Sequence, residues 1–470
     1  MAMRVKERQR LPSITDPDGQ ALAGASPWKE EENMKIRSAL FVLQLVAFVL
    51  YAPVAATQAL PKEKAETLGL SAQRLQKISL VFREHVSKGR LPGVVFMVAR
   101  NGRLAYADAI GSIDPEQQQP MSADAIFRIY SMTKPLVSVA AMMLVEDGTI
   151  ELTDPVSKYL PSMKNLQVSV AYTDQEFAKI SYGLVPAKRE MTIQDLLRHS
   201  SGLVYGEITS NQPVKDAYRR SGLYSAEINF DIRGLTPAQE VAAFSHAPLA
   251  HQPGTVWEYS LASDLLGRVV ESASGQRLAE FMQQRLFAPL KMSDTGFWVQ
   301  RKDLGRVAQP LPTDANGNAN VHLIDVSSVP ENDSGGAGGV STAADYLRFS
   351  QMLLNGGELD GVRVLSRTSV SLMTSDHLGD RISMALSPGE LLLGTSGYSF
   401  GLGFAVRMQD GIAAVPGSEG EFTWGGYAGT YFWIDPKEHI TAVYMTQAPG
   451  PMRAYYRRLF RQLVYASIID

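Results

Sequence analysis

Apolar positions along this chain follow two rhythms, one near 3.6 residues and one near 2, and the points where one gives way to the other mark out its elements. After Ser71, a capping residue, Leu75, Ile78, Leu80, Val81 and Val86 keep helical spacing and predict a helix through about Ser87. GVVFMVAR, Asn101-Gly102 and RLAYADAIG come next. Two β-rich flanks around Asn-Gly predict a hairpin closed by a type I′ turn. From Ser131 the run through LVSVAAMMLVEDG predicts a buried helix ending at Glu146-Asp147-Gly148. Residues 151–325 read as mostly helical and loop-rich, with helices near 192–198, 236–245, 262–273 and 277–287. The Gly-rich stretch 335–339 then leads to Ser341-Thr342, which can cap AADYLRFSQMLLNGG. GYSFGLGFAVR, TYFWID and HITAVYMTQ predict short strands, and an amphipathic helix from Arg453 to about Ile468 closes the chain.

Strands at both ends flanking a helical middle predict an α+β fold: one antiparallel sheet assembled from both chain ends and covered by helices, with a second, mostly helical lobe. The lobes are expected at residues 60–150 plus 326–470 and at 151–325. A different pattern begins at Met34. Lys35 and Arg37 precede an apolar core from Ala39 to Ala52, and Ala55, Ala56 and Ala59 supply small residues for cleavage. The core is shorter than the roughly 20 residues a membrane span needs. Segment 34–59 therefore reads as a removed secretory signal, which makes the mature protein periplasmic or secreted, with no stable membrane span. Residues 1–33 read as a disordered upstream extension, and Met34 as a candidate physiological start.

Composition narrows the chemistry. With 470 residues, 45% of them hydrophobic and 20% charged, the chain has a globular balance. A net charge of -3 without a basic run gives no electrostatic reason to expect nucleic acid. The absence of cysteine excludes disulfides, thiolate metal sites and a cysteine nucleophile. The histidines show no metal-ligand spacing, so neither a metal nor another cofactor is expected.

Ser131-Met132-Thr133-Lys134 carries the candidate chemistry. Residues three apart share a helix face, so the hydroxyl and the amine can meet, and Pro135 suits a first turn. The spacing alone is weak, because Ser26-Pro27-Trp28-Lys29 repeats it. On spacing alone, Ser131 could equally be a plain N-cap and Lys134 a solvated first-turn residue. A serine nucleophile also needs a base and donors for the developing oxyanion. Tyr259, in a Pro/Gly turn before a helix, is the candidate to share the proton with Lys134. His199 reads instead as a helix-terminal cation that suits the dipole.

Five segments, FRIYSMTKPLVSVAAMMLVEDG, MTIQDLLRHSSGL, PGTVWEYSLASDLLG, GGAGGVSTAADYLRF and TWGGYAGTYFWIDP, occur in an order and spacing that resembles the serine β-lactamase and penicillin-binding-protein superfamily. The likeness runs from about residue 64 to 470 and is greatest to its class C-like branch and the family VIII carboxylesterases. It implies a β-lactamase/transpeptidase-like fold, with Ser131 the acylated nucleophile, Lys134 its base or relay and Tyr259 the tyrosine of the Y-x-N motif. It also implies that Trp424-Gly425-Gly426 replaces K-T-G as an edge strand lining the site, and that the backbone N–H groups of Ser131 and Tyr427 form the oxyanion hole. Tyr130 and Trp257 are further candidates to line an acyl pocket.

Two positions depart from the superfamily pattern. Leu261 stands where an asparagine is usual, and Trp424 replaces a lysine that would pair with a substrate carboxylate. Both shift the expectation toward a carboxylesterase that cleaves short-chain, neutral small-molecule esters. A β-lactamase, a D-amino-acid peptidase or a transacylase with the same nucleophile is the alternative. A non-catalytic penicillin sensor or scaffold is a third. Oligomeric state is not legible.

Overall fold

In the computed structural model, which describes residues 59–470 apart from 175–178, 226–229 and 314–319, Ser71 accepts a hydrogen bond from the Arg74 amide and caps Ala72–Ser87 (α1). The upstream extension and the signal-like segment, up to residue 58, lie outside the described residues. Asn101 and Gly102 take φ of 54° and 73° and fold Gly93–Arg100 (β1) back on Arg103–Asp114 (β2), which pairs with Gln119–Pro120 (β3). These are the left-handed conformations a type I′ turn requires.

Thr133–Glu146 (α2) follows. Every residue from Thr133 to Leu144 is buried, as expected of a helix that is apolar all round. In the central part, a hairpin of Gln167–Asp174 (β4) and Lys179–Pro186 (β5) precedes Ile193–Leu197 (α3), Gln212–Ser221 (α4), Pro237–His246 (α5) and Ala262–Ser274 (α6). The hairpin and α4 were not legible in the sequence. Asp174 to Lys179 lacks the Asn-Gly signal that betrays β1 and β2.

Beyond the middle come Ala343–Leu354 (α7), capped by Thr342, then Pro388–Leu393 (α8), Tyr398–Phe400 (β6) and Ala405–Arg407 (β7). The stretch expected as one strand is thus two. Gly403, at φ 97°, makes the break by close approach to α2, where an added Cβ would lie 2.3 Å from Ser138 Oγ. Phe422–Gly425 (β8), Tyr431–Asp435 (β9), Ile440–Thr446 (β10) and Arg453–Tyr465 (α9) complete the described chain.

All eight strands of the main sheet pair antiparallel in the order β6-β7-β8-β9-β10-β1-β2-β3, so β10 from the C-terminal segment meets β1 from the N-terminal one. Helices cover both faces. Phe82 of α1 and Phe460 of α9 meet Phe96 and Tyr444 on one face, while the Tyr346 ring of α7 lies 4.9 Å from Phe432 on the other. This two-sided cover explains the unbroken apolar run of β1, all of which is buried. Among the described residues no helix is long and apolar enough to cross a membrane.

One expectation needs correction. β8, which carries Trp424 and Gly425, is third from the sheet margin and is not an edge strand. β7 pairs only as far as Phe422 and Thr423, however, so Trp424 and Gly425 run past their neighbour and present a local edge.

Candidate active site

Ser131 sits in a 3-10 turn, Tyr130–Met132, immediately ahead of α2. Its hydroxyl caps no helix, which sets aside the N-cap reading. Lys134, 1% exposed, is not solvated either. Its Nζ donates to the Gly336 carbonyl at 2.8 Å and stands 3.3 Å from Ser131 Oγ and 2.9 Å from Tyr205 Oη. The same nitrogen lies 4.7 Å from the centre of the Tyr259 ring.

The Gly-rich stretch reaches Lys134 because glycine lets it in. A Cβ on Gly336 would come 2.2 Å from Asp264 Oδ2, and one on Gly335 would come 2.3 Å from the Ser263 carbonyl oxygen. Asp264, buried on α6, accepts from Ser334 Oγ at 2.5 Å and from the Gly336 amide at 3.0 Å, holding in place the residue whose carbonyl accepts from Lys134. Burial raises the Asp264 carboxyl pKa, against the nearby Lys134 charge.

Tyr259 is walled by aromatic rings, with His199 at 5.1 Å, Tyr205 at 5.2 Å and Trp424 at 5.2 Å. Its buried hydroxyl has no hydrogen-bond partner among the described residues. Such a group costs stability, and groups of this kind concentrate where chemistry is done. Tyr205 is one of the site residues that sequence reasoning missed. Burial, followed by the proximity of Tyr259, Asp264 and Glu207, raises its hydroxyl pKa well above the ordinary 10. Tyr205 thus feels Tyr259 electrostatically, yet no hydrogen bond of sound geometry joins the two. An isolated tyrosine in HSSGLVYG carries no spacing signal, so only the fold could reveal it.

His199 departs from its expected role. It is 2% exposed, its Nδ1 lies 2.9 Å from Ser260 Oγ, and burial pushes its pKa well below 6.5, with the Lys134 charge adding to the effect. It is therefore a neutral packing partner of Tyr259 and not a dipole-paired cation. As pH falls through about 6.5 the unfolded chain takes up a proton that the native state refuses, so stability present above that pH is lost below it. His199→Gln is expected to flatten the fall in urea midpoint between pH 7.5 and 5. An unchanged pH slope would contradict this account.

The two candidate oxyanion donors line one cavity of about 330 Å³ together with Tyr130, Tyr205, Tyr259, Trp424, Gly425 and Gly426. Neither the Ser131 nor the Tyr427 backbone N–H has an acceptor among the described residues. Gly426 brings them together: a Cβ there would lie 2.3 Å from the Ile129 carbonyl oxygen, so only glycine lets the strand end approach the nucleophile turn. Tyr130 adopts φ 45°, a strained value for a non-glycine residue. Its hydroxyl, with a pKa pushed up to about 12 by burial, accepts from the Ile324 amide at 3.0 Å. Trp257 is not among the cavity walls. It lies in the core with its ring 5.6 Å from Phe400, where a large apolar ring gains most from burial.

The beta-lactamase family model matches residues 78–466. The chain belongs to the beta-lactamase family. Protein Rv1367c of Mycobacterium tuberculosis is 36% identical over 373 residues, 78% of this chain and 88% of that one. Esterase EstB of Burkholderia gladioli is 30% identical over 396 residues, covering 80% of this chain and 91% of that one. Among solved structures, EstCE1, a hydrolase with promiscuous acyltransferase activity, superposes with a TM-score of 0.68 at 28% identity, over 85% of this chain and 99% of its own.

Within that family the two departures now have surroundings. Leu261 turns into the core at 2% exposure and offers the cleft no amide. Trp424 packs on Tyr259 and on Phe400, 5.3 Å away, and makes its part of the wall apolar. Ile208, Phe230, Leu391 and Leu392 extend that apolar lining. The cleft is not without positive charge, however, because α9 supplies Arg453 and Arg457 to the same cavity.

Proposed function

We propose that this serine ester hydrolase of the β-lactamase fold cleaves short-chain carboxylic esters through a covalent acyl-enzyme on Ser131. The observation that carries the reading is the contact of Ser131 Oγ with a buried Lys134, whose Nζ lies 4.7 Å from the centre of the Tyr259 ring. Ser131 attacks the ester carbonyl while Lys134 and Tyr259 take its proton and return it to the leaving alcohol. The Ser131 and Tyr427 amides hold the oxyanion, and water then resolves the acyl-enzyme. Trp424, Gly425, Gly426 and Tyr130 shape the wall against which the acyl group rests. EstB and EstCE1, an esterase and a hydrolase by name, support the ester as substrate. The signal-like segment from Met34 supports a place outside the cytoplasm.

A panel of p-nitrophenyl esters from acetate to decanoate, run beside a chromogenic cephalosporin, tests the reading. Turnover should be greatest on acetate or butyrate and weak on the cephalosporin. Faster cephalosporin hydrolysis would favour a β-lactamase.

A further inference from the structure

Six aromatic residues that line the Ser131 cavity touch one another in succession: Tyr130, Tyr427, Phe230, Tyr205, Tyr259 and Trp424, with ring centres 5.0 to 5.4 Å apart at each step. Phe230 joins the two halves of this collar. Its ring lies 5.0 Å from that of Tyr427, whose amide is an oxyanion donor, and meets Tyr205 edge to face at 5.3 Å. Neither the proton path nor the oxyanion hole uses Phe230 itself.

The backbone of Phe230 is held where a phenylalanine rarely goes. Its φ is 67°, in the left-handed region, and a bulky side chain there is an outlier. The residues that follow it are pinned. Ile232 is buried, its carbonyl accepts from Asn332 Nδ2 at 3.1 Å, and Arg233 donates from Nη2 to Asp325 O at 2.7 Å and from Nε to Asp231 Oδ1 at 2.8 Å. Strain of this kind persists only where the surroundings over-determine it, and it collects at ligand clamps. Here it sets a ring into the wall of the cavity between α4 and α5.

The neighbours of that ring tell which part of an ester it meets. Tyr259 faces the leaving alcohol, to which the proton returns, and its ring neighbours among the described residues are His199, Tyr205 and Trp424. Phe230 instead packs on Tyr427, beside the carbonyl oxygen. An ester carbonyl carries its acyl and alcohol parts on opposite sides, so a wall set away from Tyr259 borders the acyl part. We infer that Phe230 is the specificity-determining residue that ends the acyl pocket and holds it to short chains. This rests on the ester-hydrolase reading and gives its short-chain preference one physical cause. Ile208 lines the same cavity and is 44% exposed, so apolar wall that a longer chain could follow is already present.

The test compares kcat/KM for p-nitrophenyl octanoate and butyrate in the full chain. Phe230→Ala should raise the octanoate-to-butyrate ratio about tenfold or more, since even one methylene in an apolar pocket is worth about tenfold. Phe230→Leu should raise it less, and Phe230→Tyr, which keeps the ring, should hold the parent ratio. Urea midpoints check folding, and if Phe230→Ala does not fold, Phe230→Leu carries the comparison. If Phe230 merely braces Tyr427 and Tyr205, Phe230→Ala will depress both esters equally and leave the ratio unchanged, which overturns the inference. Phenyl and 1-naphthyl acetate form the alcohol arm: their ratio should stay as in the parent, and a gain confined to that arm overturns the inference too. Labelling of Ser131 by fluorophosphonates with ethyl and octyl chains reads the same wall without turnover. An octyl penalty that Phe230→Ala lifts upholds the wall even if ester hydrolysis fails, whereas equal labelling by both probes in the parent, or none, rejects it.

Discussion

Ser131→Ala is expected to lower turnover of p-nitrophenyl butyrate by about 10⁴-fold or more and to abolish labelling by a fluorophosphonate, while the circular dichroism spectrum stays that of the parent. The expectation rests on where the hydroxyl stands. It caps no helix, so its loss removes no structural hydrogen bond at a helix start, and it accepts from Lys134 Nζ at 3.3 Å. The turn that carries it is held from both sides by other groups. Thr133 Oγ1 donates to the Tyr130 carbonyl at 2.6 Å, and the Ile129 amide donates to Gly339 O at 2.9 Å. Activity within tenfold of the parent would show that another group is acylated, or that none is.

Lys134→Met should cost about 10³-fold in kcat, within the 10²- to 10⁴-fold range of a positioned proton-transfer group, with a smaller change in KM. Methionine keeps the length of the stem inside the buried helix but removes the donor to Gly336 O and the contact with Tyr205 Oη. Two buried polar groups then lose their partner, so stability should fall as well, by about 1–3 kcal/mol for each group left unsatisfied. The two effects separate experimentally. Stability is read from urea midpoints, and kcat is measured at a temperature where both proteins are fully folded. A variant that is destabilised yet turns over at near-parent rate would make Lys134 a structural brace and leave the proton to Tyr259 or Tyr205.

Much of the fold was legible because its signals are local. Asn101-Gly102 demands left-handed backbone, and Ser71 and Thr342 cap the helices they precede through their own side chains. The unbroken apolar run of α2 announces burial without any knowledge of what buries it. The hairpin of β4 and β5 escaped because the sequence between its strands carries no Asn-Gly signal, and the edge-strand expectation for Trp424 failed because strand order is a property of the sheet. Of the site, Ser131, Lys134 and Tyr259 were legible through motif order. Tyr205, Asp264 and the α9 arginines were not, since nothing in their spacing ties them to residue 131.

The amino-acid sequence by itself determined most of the element types outside the central part, the two-ended antiparallel sheet and the serine–lysine–tyrosine candidates, because each depends on contacts or conformational limits within a few residues or on an ordered set of short motifs. Only the tertiary structure decided the rest. It placed Tyr205 at 2.9 Å from Lys134, left the Tyr259 hydroxyl without a partner among the described residues, made His199 neutral by burial and turned two arginines of the last helix into the cleft. Those outcomes depend on desolvation and on groups brought together from segments tens to hundreds of residues apart, and neither exists until the chain has packed.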